Sequence, residues 1–196
     1  MRYQHVHYHG WYRVIGILFV FVFTTLLVVT IWFTLTQDSA HYIGNLIAQD
    51  LKRLRAIFDT IDQAAGIDDF AQQNNPINFL NIKQGGFIGS NVGALYLKDP
   101  SKWQGPYLLE NPSIKGIDYA VVRAAQGYYI MPGLGVTLPN GKVMGTDIVI
   151  TQDTSVEPLL EDPAYFNYRG QRLAIALRGP VAPEKEYILM PEDQED

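Results

Sequence analysis

From Val14 to Leu35 every position is apolar or threonine, 22 residues without a charge. At ~1.5 Å rise per residue such a helix spans ~33 Å, against ~30 Å for the hydrocarbon core of a bilayer. Lipid offers no partner for backbone N–H and C=O groups, so the segment is predicted to be a transmembrane helix. Trp11, Tyr12 and Trp32 lie near its ends, where aromatic rings favour the membrane interface. A secretory leader has a shorter apolar core, ~7–15 residues, and a small-residue cleavage site. Here Trp32-Phe33 stand where small residues would be needed, which favours a retained anchor.

A different periodicity follows. Ile47, Leu51, Leu54, Phe58, Ile61 and Ala65 step by four and three residues in alternation, one face of a helix. Asp50, Lys52, Arg53, Asp59 and Asp62 fill the other positions, and Gly66 is a plausible helix stop. Two readings stand: one helix from about residue 14 to 65, roughly 75 Å long, or two helices with a fresh cap at Asp38 or Ser39. Residues 67–116 read as irregular, broken at Asn74-Asn75-Pro76, Gly85-Gly86 and Asn111-Pro112, with a short helix near 68–72 or 90–97.

Strand patterning begins at Ile117. Ile117–Arg123 is rich in β-branched and aromatic residues, Ala124–Gly127 reads as a turn, and Tyr128–Met131 as a second strand. Asn140-Gly141 between apolar flanks predicts a hairpin with a type I′ turn. Leu173, Ile175 and Leu177 alternate as in a half-buried strand, Tyr187–Met190 suggests another, and Glu192–Asp196 is an acidic end. The predicted order is therefore a tail (1–13), a transmembrane helix (14–36), an amphipathic continuation (37–66), a loop region (67–116) and a β region (117–196). That is an α+β fold, a long N-terminal helix packed on a small antiparallel sheet.

Charge adds orientation. Only Arg2 and Arg13 of the 15 basic residues precede the apolar run, and all 20 acids follow it. This asymmetry favours a cytoplasmic N-terminus, and an acidic outer part gives no reason to expect nucleic acid. There is no cysteine, which excludes disulfides, thiol catalysis and thiolate metal sites. The ~160 residues beyond the anchor suffice for one domain with its own core.

Candidate chemistry is sparse. Gln84-Gly-Gly-Phe-Ile-Gly-Ser90 has the look of a phosphate loop, but Lys83 takes the place of the first glycine and no βαβ sequel follows. His5, His7 and His9 could share a transition metal, with no acid beside them. Outside that tail only His41 remains, next to the anchor, so a Ser-His-Asp arrangement has no base. Asp99, Glu110, Asp118, Asp147, Glu157, Glu161 and Asp162 leave a carboxylate-based hydrolase open, without a spacing that selects two of them. Asp147, Asp153, Glu157, Glu161 and Asp162 could supply oxygen ligands to calcium, though in no regular loop pattern. Otherwise no cofactor is implied. Within the membrane run, Gly16, Thr24 and Thr25 are the positions that would allow another helix to approach closely.

Lys102-Trp103-Gln104-Gly105-Pro106-Tyr107-Leu108 is the most distinctive local string, large apolar groups around a Gly-Pro turn. It resembles the Trp-x-Gly-Pro-Tyr segment that precedes the sheet in major pseudopilins of type II secretion, and the order of parts over residues 10–150 resembles type IV pilins. The family's processing motif is not matched: Gly10 precedes Trp11, but the fifth residue after Gly10 is Ile15 and no acid occurs before Asp38. The resemblance implies a non-enzymatic, single-pass protein of the bacterial inner membrane with a periplasmic domain. Its partners would be lipid and the membrane helices of other subunits in a secretion or pilus-type assembly. Trp103, Gly105, Pro106 and Tyr107 would hold the domain's shape, with Asn140 and Gly141 shaping its hairpin. The alternative is a single-pass adaptor whose β domain binds a protein or envelope partner.

Overall fold

The computed structural model describes residues 8–83 and 91–177, with side chains except at 8–13, 34–38 and 91. The Gln84–Ser90 loop, the His5 and His7 positions, the Tyr187–Met190 segment and the acidic end lie outside the described residues. The chain divides into two compact units at Tyr42/Ile43.

Helix α1 (Tyr8–Ala65) is one helical element, so Asp38 and Ser39 do not start a new one. Its Val14–Phe33 stretch, 20 residues, is long and apolar enough to cross a membrane, and none of it is buried within the protein. Thr25 and Thr30 donate their hydroxyls to the carbonyls of Phe21 and Leu26, both at 2.8 Å. These polar groups are thereby satisfied inside the helix, as an apolar solvent requires.

In the second unit the predicted stripe becomes the core. Ile47, Leu51, Leu54, Phe58, Ile61 and Ala65 are all no more than 2% exposed. Gly66 ends the helix with φ +67°, and its N–H donates to the Asp62 carbonyl at 3.0 Å. Only a residue without Cβ takes that conformation freely.

The region read as irregular holds short strands instead. β1 (Ile67–Phe70) pairs with β4 (Leu95–Leu97), and β4 with β3 (Asn91–Val92), all antiparallel. The helix expected near 68–72 or 90–97 is therefore absent. Phe70 turns onto Phe58 at 6.1 Å between ring centroids, and a β-bulge between Ile67 and Asp69 lets both Ile67 and Phe70 reach the core. Packing on α1 outweighs the weak local preference.

The main sheet is antiparallel, in the order β10 (Ile175–Ala176), β7 (Gly127–Pro132), β6 (Ile117–Ala124), β2 (Asn74–Pro76), with β5 (Ser113–Ile114) also on β6. β6 and β7 form the expected hairpin, Val121 opposite Ile130 and Ala124 opposite Gly127. Both faces of this hairpin are covered. On one face Tyr119 and Tyr128 point toward α1 and Phe70. On the other, Val122 and Met131 meet Met144 and Ile148 from the following loop. That is why Tyr119–Val122 and Tyr128–Met131 are apolar without alternation. Asn75 is the buried polar residue among the described ones, and it is satisfied. Its amide donates to the carbonyls of Gln72 (2.6 Å) and Val121 (3.2 Å), and its Oδ1 accepts from the Gln72 N–H (2.8 Å).

The turn at Asn140-Gly141 differs from expectation. Gly141 has φ +85°, whereas Asn140 does not enter the left-handed region. Gly141 N–H donates to the Leu138 carbonyl at 2.9 Å, and Leu138 N–H to the Lys142 carbonyl at 2.8 Å. This is a three-residue loop, a type I turn with Pro139 leading and Gly141 as the left-handed bulge residue. A two-residue loop at Asn140-Gly141 would need the residue before it to donate its N–H to the Lys142 carbonyl; Pro139 has none, so Leu138 makes that bond instead. Toward the C-terminus, Leu173, Ala174 and Leu177 are buried while Ile175 and Ala176 are half-buried. The predicted alternation is therefore not observed, and the strand itself is confined to the two residues of β10.

Truncating Phe58 tests whether the α1 stripe organises this unit. Phe58→Ala is expected to cost about 3–5 kcal/mol in denaturant unfolding of the detergent-solubilised chain. Ala56→Ser on the exposed face should change stability by less than about 0.5 kcal/mol. Equal losses would refute a core built on the stripe.

Candidate functional site

The Trp103 segment is a packed knot. A short 3₁₀ turn, Pro100–Lys102, leads into it. Trp103 is fully buried, its Nε1–H donates to the Ile82 carbonyl at 3.0 Å, and its ring meets Tyr107 edge-on at 4.8 Å. The Gly105-Pro106 peptide is cis. A Cβ at Gly105 would lie 2.4 Å from both the Ile82 carbonyl oxygen and Trp103 Nε1. The N–H groups of Tyr107 and Leu108 both donate to the Leu80 carbonyl, at 2.8 and 3.2 Å. The four residues singled out from the sequence thus meet at one place, closing the 80–108 segment on itself.

The other candidates do not join them. Asn140 tethers its turn to residues far along the chain, its amide donating to the carbonyls of Pro163 (3.2 Å) and Tyr165 (2.9 Å). Gly16 has open space where a side chain would stand. Thr24 donates to the Val20 carbonyl and Thr25 to that of Phe21, both on exposed helix surface. The helix glycine with a close neighbour is instead Gly44, where an added Cβ would come within 3.0 Å of Tyr168. A lone glycine in an amphipathic stretch carries no sequence mark that distinguishes it from a tolerated one.

Two polar clusters escaped the sequence reading because their members are distant in the chain. Tyr119 donates its hydroxyl to Asp50 Oδ2 at 2.9 Å, linking β6 to α1. Arg123, Asp69 and Tyr128 form the other: Arg123 pairs with Asp69 at 2.6 Å, Arg123 Nε donates to the Tyr128 hydroxyl at 2.7 Å, and that hydroxyl donates to Asp69. Burial raises the Asp69 carboxyl, but the hydrogen bonds from Tyr128, the Phe70 N–H and Arg123 outweigh it and hold the group below its ordinary 3.8. Tyr128 is pushed up to about 12 by burial and by the Asp69 it bonds. Tyr129 is pushed up to about 12 by burial and by Glu157, whose Oε1 accepts its hydroxyl at 3.0 Å. Tyr119 is raised further, by burial and by Asp50.

The acids considered for calcium or catalysis are dispersed in separate roles. Asp147 accepts from the Val143 N–H, Glu157 from Tyr129, Asp162 from the Ala164 N–H, and Glu161 pairs with Arg172. Among the described residues no group of three His, Asp or Glu stands close enough to hold a metal ion. The described residues include two grooves. One, about 270 Å³, is apolar, with Met131, Met144 and Ile148 in its wall and Leu134 and Val149 exposed at its rim. The other, about 360 Å³, brings Lys52 and Arg55 of α1 beside Gln171 and Arg172 of β9 (Gln171–Arg172), the partner of β8 (Asn167–Tyr168).

No protein-family model, no curated protein and no solved structure matches this chain.

Two measurements follow from the geometry. Gly105→Ala should destabilise the second unit by at least about 2 kcal/mol, because the new methyl meets a carbonyl and an indole that cannot both retreat. An unchanged denaturation midpoint would show the knot to be slack. The tyrosines give a pH dependence. A raised phenol contributes stability that is present below the unfolded value of 10.0 and is lost as pH climbs through about 12. The denaturation midpoint should fall between those limits, and the double substitution Tyr128→Phe with Tyr129→Phe should flatten the fall. A fall equally steep in the double variant would assign it to other groups.

Proposed function

We propose that this chain is a non-enzymatic, membrane-anchored structural component of a bacterial envelope assembly of the pilin or pseudopilin type. The observation that carries the proposal is the division of labour within α1. One helical element includes a membrane-length apolar stretch and an amphipathic stripe that forms the core beneath an antiparallel sheet. The Trp-Gln-Gly-Pro-Tyr knot immediately before the main hairpin adds local support. The anchor lies in the inner membrane with its basic N-terminus in the cytoplasm, and the sheet-bearing domain lies in the periplasm. Assembly acts through helix contacts within the bilayer, where Gly16, Thr24 and Thr25 permit close approach.

One feature favours a second reading, an adaptor that binds a protein through its periplasmic domain. The apolar groove rimmed by Leu134 and Val149 is the surface such an adaptor would use.

Photo-crosslinking in native membranes separates the two. A crosslinker at Thr24 or Thr25 is expected to trap helices of secretion or pilus subunits, and Gly16→Leu with Thr24→Leu should reduce the yield by about tenfold without releasing the chain from the membrane fraction. Crosslinks arising only from position 134 or 149 would favour the adaptor. A chain soluble without detergent would overturn both.

A further inference from the structure

The cationic groove has properties that the assembly reading does not use. Lys52 and Arg55 stand one helical turn apart on α1, and neither has a carboxylate partner among the described residues. Arg172, across the groove, pairs with Glu161 on an exposed surface, an interaction worth at most about 1 kcal/mol. In the wall between them the Gln171 amide donates to Asn45 Oδ1, while its Oε1 is buried without a hydrogen bond among the described residues. An acceptor left so costs ~1–3 kcal/mol.

The groove also borders a sheet edge. Among the described residues β10 pairs with β7 on one side only, and Ile175 of β10 lines the groove. An edge strand beside a charged groove suits an extended segment of opposite charge.

Such a segment lies in the chain itself. Leu177, the last described residue, is two positions beyond Ile175. The following residues carry Glu184, Glu186, Glu192, Asp193, Glu195 and Asp196 against only Arg178 and Lys185. The stretch from Leu177 to Glu192 can extend up to ~50 Å, ample for a return. Tethering at the groove's own wall gives the acidic end an effective concentration on the order of millimolar. We propose that Glu192–Asp196 docks in cis into the groove formed by Lys52, Arg55 and Arg172. The tail thereby covers the exposed flank of the amphipathic half of α1 and supplies carboxylates to Lys52 and Arg55.

The native chain has no cysteine, so two introduced ones are the only thiols. In the full chain in detergent, the pair Ala48→Cys with Glu195→Cys reports docking through intramolecular disulfide formation. Thr146→Cys with Glu195→Cys serves as the exposed reference. The groove pair should close about tenfold faster than the reference. Lys52→Glu with Arg55→Glu, or a rise in salt from about 0.05 to 0.5 M, should remove most of that excess. Arg172→Cys with Glu195→Cys gives an independent second pair should the helix substitution disturb folding. Equal rates for groove and reference pairs would overturn the proposal, as would rates insensitive to charge reversal. A dominant disulfide-linked dimer would overturn it too, assigning the groove to the tail of a second copy.

Discussion

Burial of one face of α1 beneath the sheet is the interaction on which the second unit depends. Neither partner is self-sufficient. A hairpin such as β6–β7 is marginal alone in water, and an isolated helix of this length draws most of its stability from packing. The six stripe residues supply what the hairpin lacks, and the hairpin supplies what the stripe needs. Tyr119 adds direction, because its hydroxyl donates to Asp50 on α1. Apolar burial alone would tolerate a slide of the helix along the sheet; a hydrogen bond at one depth does not.

The hairpin's second face has a different solution. No second helix covers it among the described residues. Loop residues Met144 and Ile148 meet it beside Val122 and Met131, and Asn140 reaches toward Pro163 and Tyr165 to tether the loop. Irregular backbone over a sheet must satisfy its own polar groups locally. The Trp103 knot applies the same rule elsewhere, with indole, carbonyl and backbone amides closing a loop that has no ladder to join. The Arg123–Asp69–Tyr128 cluster then fastens the small three-stranded sheet to the large one across 54 residues of sequence.

Of the residues read as candidates, those that came together were neighbours in sequence. Trp103, Gly105, Pro106 and Tyr107 were legible because aromatic groups flanking Gly-Pro announce a pinned turn. Lys52, Arg55, Gln171 and Arg172 were not, because two separate segments build their groove and neither carries a motif. The short strands β1 and β4 were missed for a related reason. Three or four residues give periodicity too little length to register, and their pairing partners lie outside any local window.

Periodicity and transfer energy alone determined the membrane-length helix, the buried stripe at 47–65 and the β6–β7 hairpin. Each follows from the order of apolar residues along a short stretch, and water or lipid imposes the same demand wherever that stretch sits. Tertiary structure decided what covers the sheet's second face, where Asp50, Asp69 and Arg123 find partners, and which cations share a groove. Those outcomes depend on residues brought together across long separations. Proline, too, acted at one turn: Pro139 has no N–H to give the Lys142 carbonyl, which a two-residue Asn140-Gly141 loop would need, so Leu138 makes that bond and the loop is one residue longer.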